Sequence, residues 1–187
     1  MPEPFPYTRL VVVGVTGSGK STLAEGLAQK LGLDFVELDA LYWKPGWEGT
    51  PDDEFAAKVE AATRGDRWAV AGNYSRVRPI TWPRAQAVIW IDYPLWTVFR
   101  RLLRRTLHRA VTREVLWGTN TEPFWPHLKL WSDESLFKWL FKTYRRRKRD
   151  YPLLLAMPQY AHLKVFHFKE PQETDAWLES LAVTLKT

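Results

Sequence analysis

Apolar positions along the chain fall into two alternating patterns. Short apolar-rich runs at Arg9 to Val13, Phe35 to Leu38, Trp68 to Ala71, Ala87 to Ile91 and Lys164 to Phe168 read as strands buried on both faces. Between them lie stretches with helical spacing: Ser21 to Leu31, Pro51 to Thr63, Pro94 to about Ala110, Asp133 to about Arg149, and Gln172 to Leu185. In the first of these Leu23, Leu27 and Leu31 share one face, and Gly32 closes the helix. Thr50 ahead of Pro51-Asp52-Asp53-Glu54 marks a helix start, as does Ser132-Asp133-Glu134, because each puts a capping oxygen and carboxylates at the positive helix end. Strands and helices that alternate in this way predict an α/β fold, a parallel sheet with helices on both faces and ligands at the carboxyl ends of its strands. There is no internal repeat and no low-complexity linker.

Composition narrows the classes without changing the pattern. The 187 residues suit one domain, 1–187, with a core large enough to need no staples. No cysteine is present, which excludes disulfides, thiolate metal sites and a cysteine nucleophile. No signal-peptide pattern opens the sequence and no apolar run is long enough to span a bilayer, so a cytoplasmic location and no membrane partner are expected. The net charge of +6 comes from two clusters, Arg100, Arg101, Arg104, Arg105, Arg109 and Arg113, then Arg145, Arg146, Arg147, Lys148 and Arg149. Either cluster suits polyphosphate, nucleic acid or plain solvent. Several of the eleven tryptophans lie in Leu41 to Trp47 and Trp117 to Trp131, outside the clear element patterns, and some of them are expected to face a ligand. His108, His127, His162 and His167 have no metal-ligand spacing.

The sharpest chemistry lies directly after the first strand. Gly14-Val15-Thr16-Gly17-Ser18-Gly19-Lys20-Ser21-Thr22 is a G-x-x-x-x-G-K-[ST] loop. Its glycines let the backbone N–H groups curl around an anion, and the helix that follows presents its positive end to the same charge. Gly14, Thr16, Gly17, Ser18, Gly19, Lys20, Ser21 and Thr22 are therefore expected to hold the phosphates of ATP. Lys20 is expected to reach the β- and γ-phosphates, and Ser21 to hold Mg²⁺.

Downstream, Leu38-Asp39-Ala40-Leu41-Tyr42-Trp43-Lys44-Pro45-Gly46-Trp47, Ala71-Gly72-Asn73-Tyr74-Ser75-Arg76 and the arginine series complete a second signature. From about Leu10 to Tyr151 the chain resembles the adenylate-kinase-related P-loop proteins of the DNA topology modulation type. The resemblance implies a three-layer P-loop NTPase of the nucleoside-monophosphate-kinase kind, with a five-stranded parallel sheet of order 2-3-1-4-5. It also implies an acceptor-binding insert at about 39–65, a lid at about 106–130, and phosphoryl transfer from Mg·ATP to a small nucleotide- or nucleoside-like acceptor. By the same resemblance Asp39, at the end of the second strand, handles the acceptor hydroxyl; a turn or capping aspartate is the alternative.

Trp43 and Trp47 flank Pro45-Gly46 and serve either as a stacking platform for the acceptor or as the insert's own core against Phe55 and Val59. Gly72, Asn73, Tyr74 and Arg76 follow the third strand, where such kinases meet their acceptor. There Gly72 allows a close approach and Arg76 suits a phosphate clamp. Related proteins carry an acidic residue at the position of Ala71, so a carboxylate that anchors the metal's water shell is missing, and Asp39 is one substitute. Asp92 resembles a Walker B aspartate but belongs to the fourth strand.

Arg101, Arg105, Arg109 and Arg113 recur every four residues. In this fold Arg105, Arg109 and Arg113 lead into the lid and are placed to stabilise the transferred phosphoryl group, with a solvated basic face as the alternative. Gly118 gives the lid flexibility, and Glu114 and Glu122 are placed to hold its arginines when ATP is absent. Arg145 to Arg149 read as a solvated helix end, with Arg146 reaching the nucleotide phosphates as the alternative. A nucleotide-dependent regulatory or nucleic-acid-binding protein is the rival function, and Ala71 and the net charge lean towards it.

Overall fold

The structure, a computed structural model, describes residues 5–112, 114–117, 120–121 and 136–182. Its main strands are β1 (Arg9–Gly14), β2 (Asp34–Glu37), β5 (Trp68–Ala71), β6 (Ala87–Ile91) and β9 (Lys164–Phe168). They form one parallel sheet in the order β2-β5-β1-β6-β9, which is the 2-3-1-4-5 arrangement expected. Two short antiparallel hairpins stand apart, β3 (Trp43–Lys44) with β4 (Glu48–Gly49), and β7 (Val115–Leu116) with β8 (Asn120–Thr121). The described helices are α1 (Lys20–Leu31), α2 (Leu38–Tyr42), α3 (Asp52–Ala62), α4 (Arg78–Thr81), α5 (Leu95–Thr112), α6 (Leu136–Leu155) and α7 (Pro171–Ser180).

Strand alternation divides the core into two layers. Leu10 and Val12 pack with Leu23, Leu27 and Leu31 of α1 and with Leu102 of α5. Val11 and Val13 point the other way, onto Phe55 and Val59 of α3 and Trp90 of β6. Both faces of the central strands are therefore dry, and the open ends of the strands are left for polar groups. At those ends the register sets Gly14 beside Ile91 and Glu37 beside Ala71. Among the described residues no helix is long and apolar enough to cross a membrane.

Three element boundaries differ from expectation. Thr50 does not cap α3: its N–H bonds Tyr42 C=O (2.8 Å) and its hydroxyl donates to Leu41 C=O (3.3 Å), so it closes the preceding hairpin instead. The helix starts at Asp52, after Pro51, on the strength of Asp52, Asp53 and Glu54 in its first turn. α6 continues through Pro152 to Leu155 rather than stopping near Arg149. Proline removes one donor there, while its neighbour Tyr151 is 3% exposed and locks the turn against Trp82 and Trp90. α7 ends at Ser180, short of the expected Leu185, because Leu181 is extended. The expected helix start at Ser132-Asp133-Glu134 lies outside the described residues, and α2 and α4 are too short for periodicity to have shown them.

Candidate active site

The phosphate loop leaves β1 at Gly14 and enters α1 at Lys20. Gly17 (φ 77°) and Gly19 (φ 95°) take left-handed conformations that side-chain-bearing residues avoid. Gly17 has a second requirement: a Cβ there would lie 2.8 Å from Leu102 Cβ, so only glycine lets α5 press against the loop. From α5, Arg101 donates to Ser18 C=O (3.1 Å) and lies over the Tyr93 ring. Ser18 Oγ is buried without a hydrogen-bond partner among the described residues. Thr16 and Ser21 are half-buried in the loop, and Thr22 is exposed.

Charge converges on Lys20. Burial pushes its ammonium below the ordinary lysine pKa; Asp39 opposes that shift, Arg105 and Arg147 reinforce it, and Glu37 opposes it weakly. The charges of two arginines and two carboxylates thus bear on the Lys20 ammonium at the mouth of the loop. The donor set fits a magnesium nucleotide: loop amides, an orphaned serine hydroxyl and converging cations suit polyphosphate, while Ser21 with nearby carboxylates suits a hard, oxygen-seeking cation. No cluster of three or more histidine and carboxylate side chains suited to holding a metal alone occurs among the described residues.

Asp39 sits in the first turn of α2, where Tyr74 O–H donates to its Oδ1 (2.7 Å). Burial and the adjacent Asp39 charge drive the Tyr74 phenol far above its usual pKa, so it remains a donor. Glu37, two residues before Asp39, is the cross-strand partner of Ala71. A carboxylate is therefore present beside the position where Ala71 lacks one. It accepts from Trp117 Nε1 (3.2 Å).

The remaining expected contacts are distributed differently. Gly72 makes its close approach to protein, since a Cβ there would meet Leu38 at 2.8 Å. Asn73 holds Gly14 through both of its amide groups and accepts from Tyr151 (2.7 Å), and so braces the phosphate loop. Arg76 is drawn outward onto Asp52 at the start of α3 (2.5 Å). Tyr42 and Tyr74, not the tryptophans, pack on Phe55. Trp43, Trp47 and Trp117 run edge to face away from it, 5.6 Å between successive rings, and connect the insert to β7–β8. Asn120 fastens that junction by accepting from Trp47 N–H (3.1 Å) and donating to Lys44 C=O (3.0 Å).

Along α5 the arginines diverge. Arg105 is half-buried and its charge bears on Lys20, Arg109 pairs with Glu114 (3.3 Å), and Arg100 and Arg104 are exposed. Arg113, Gly118 and Glu122 lie outside the described residues. In α6 it is Arg147 and not Arg146 that lines a cavity with Gly14 and whose charge bears on Lys20; Arg146 is exposed. Helical spacing carries that signal, because Leu140, Tyr144, Arg147 and Tyr151 share the inward face. Asp92 is committed to His167 (3.1 Å) and Lys148 (3.6 Å).

No protein-family model matches the chain. Over 130 residues it is 32% identical to the shikimate kinase of Synechococcus elongatus, a match that spans 58% of this chain and 68% of that protein. A 33-residue segment, 18% of this chain and 18% of the relative, is 61% identical to the gluconokinase of Gluconobacter oxydans. The crystal structure of a shikimate kinase from Bacteroides thetaiotaomicron has the same fold, with a TM-score of 0.52 and 16% identity over 92% of this chain and 95% of that one. The chain belongs to the shikimate kinase family, within the P-loop kinase superfamily of ATP-dependent small-molecule phosphotransferases.

Proposed function

We propose that the protein transfers the γ-phosphoryl group of ATP to a hydroxyl of a small hydroxylated acceptor bound against Asp39. The observation that carries this is the Tyr74–Asp39 hydrogen bond beside Lys20. It engages Oδ1 and leaves Oδ2 to orient the acceptor hydroxyl and take its proton. Lys20, Arg105 and Arg147 gather positive charge where the phosphoryl group carries its negative charge, so positioning and electrostatics supply the catalysis. Magnesium, when bound, neutralises the polyphosphate and fixes its geometry. Ser21 and Glu37 are its proposed protein partners, Glu37 filling the role that Ala71 cannot.

A nucleotide acceptor would need a phosphate clamp, and the cation expected for it, Arg76, holds Asp52 instead. An acceptor without a phosphate fits better, in keeping with relatives named for shikimate and gluconate. The W-x-P-G-W and G-N-Y-S segments support a finer placement with the DNA topology modulation type. The lack of cysteine accords with a cytoplasmic location. Incubation with Mg·ATP and separate pools of sugars, hydroxylated acids, nucleosides and nucleoside monophosphates, with product detected by mass, tests the proposal. Phosphorylated product from the first three pools is expected. Product from the monophosphates alone, or none above a Lys20→Ala variant, would defeat it.

A further inference from the structure

Asn73 extends the sheet's pairing with its side chain. Gly72 N–H bonds Val12 C=O (3.2 Å), and the next donor and acceptor both come from the Asn73 amide, which binds the C=O and N–H of Gly14. Since β1 ends at Gly14, this amide sets the direction in which the phosphate loop departs. Its Oδ1 also accepts from Tyr151 O–H (2.7 Å), and the Tyr151 oxygen accepts from the Arg147 guanidinium (3.1 Å). Tyr151 is buried among Trp82 and Trp90, and burial keeps its phenol protonated. A polar line through aromatic surroundings is tolerated when its members are hydrogen-bonded to one another, as these are. One end of the line is Arg147 and the other is Gly14, the first residue of the loop, and the two line the same small cavity.

We infer that Asn73 and Tyr151 are positioning residues that hold Arg147 and the phosphate loop as one unit, so that the guanidinium addresses the terminal phosphate of a bound triphosphate. This rests on the proposal that the loop and Lys20 bind the nucleotide. Tyr151→Phe keeps the ring and deletes only the hydroxyl. Titration calorimetry of the full chain with Mg·AMP-PNP and Mg·ADP should show AMP-PNP binding weakened about three- to tenfold, the worth of one hydrogen bond. ADP binding should stay within about twofold. Adding Tyr151→Phe to Arg147→Gln should weaken AMP-PNP no further, because both remove the same contact. Equal losses for the two nucleotides, no loss for either, or additive losses would overturn the inference. If Tyr151→Phe does not fold, Arg147→Gln alone must show the selective loss, and equal losses again overturn it. Lys20→Ala should lose both nucleotides; unchanged binding by that variant would instead defeat the nucleotide-binding proposal underneath.

Discussion

Lys20 shows how a residue proposed to bind phosphate can burden the fold that carries it. Its pKa is depressed by burial, so the charged form is disfavoured in the folded state while the unfolded lysine titrates near its ordinary 10.5. The penalty is fully present below the folded pKa and shrinks as pH rises from there towards 10.5. Lys20→Met should therefore raise the melting temperature of the nucleotide-free protein at pH 7, and the gain should shrink as pH rises. A constant gain would show that the ammonium's charge is not the cause. Glu37→Gln should raise the Mg²⁺ concentration for half-maximal ATP turnover roughly tenfold, as loss of a metal-orienting carboxylate does elsewhere. The proposed roles of Lys20 and Ser21 were legible because they depend on local spacing. Glu37 was not, because it is set beside Ala71 by strand pairing. Arg147 was legible in principle from its place on the inward face of α6, and a run of five basic residues hid it.

At the level of elements, the phosphate loop is supported by α5 on one side and by the Asn73 amide on the other. Gly17→Ala would force a left-handed alanine into Leu102, at a cost of about 2 to 4 kcal/mol from strain and overpacking together, measurable by urea unfolding. The insert and the β7–β8 hairpin meet through Asn120, and Asn120→Ala removes two hydrogen bonds at once. Amides of residues 43–49 should then exchange faster, by the equivalent of about 1 to 3 kcal/mol, with the sheet unaffected. The five main strands were legible as short apolar runs, though the edge strands β2 and β9 are largely exposed rather than buried on both faces, and the sheet order was implied only by the family resemblance. The hairpins were not, since two-residue strands have no period. Thr50 misled for a related reason: its side chain serves the hairpin before it rather than the helix after it.

For the whole molecule, the positive charge divides between uses. Arg101, Arg105 and Arg147 turn towards the loop or Lys20, while Arg100, Arg104, Arg145 and Arg146 remain on the exposed surface. Composition alone offered polyphosphate, nucleic acid and solvent as equals; the proposed function assigns Arg105 and Arg147 to the small cleft at the strand ends. The measurement that bears most directly on this is single-turnover transfer from γ-labelled ATP to the acceptor found in the pooled assay, comparing wild type with Asp39→Asn. Transfer should fall by at least about a hundredfold, as expected for loss of a positioned base, while Mg·nucleotide affinity changes by less than about twofold. Transfer at the wild-type rate by Asp39→Asn would contradict the assignment of Asp39 to the acceptor, and with it the two-sided cleft.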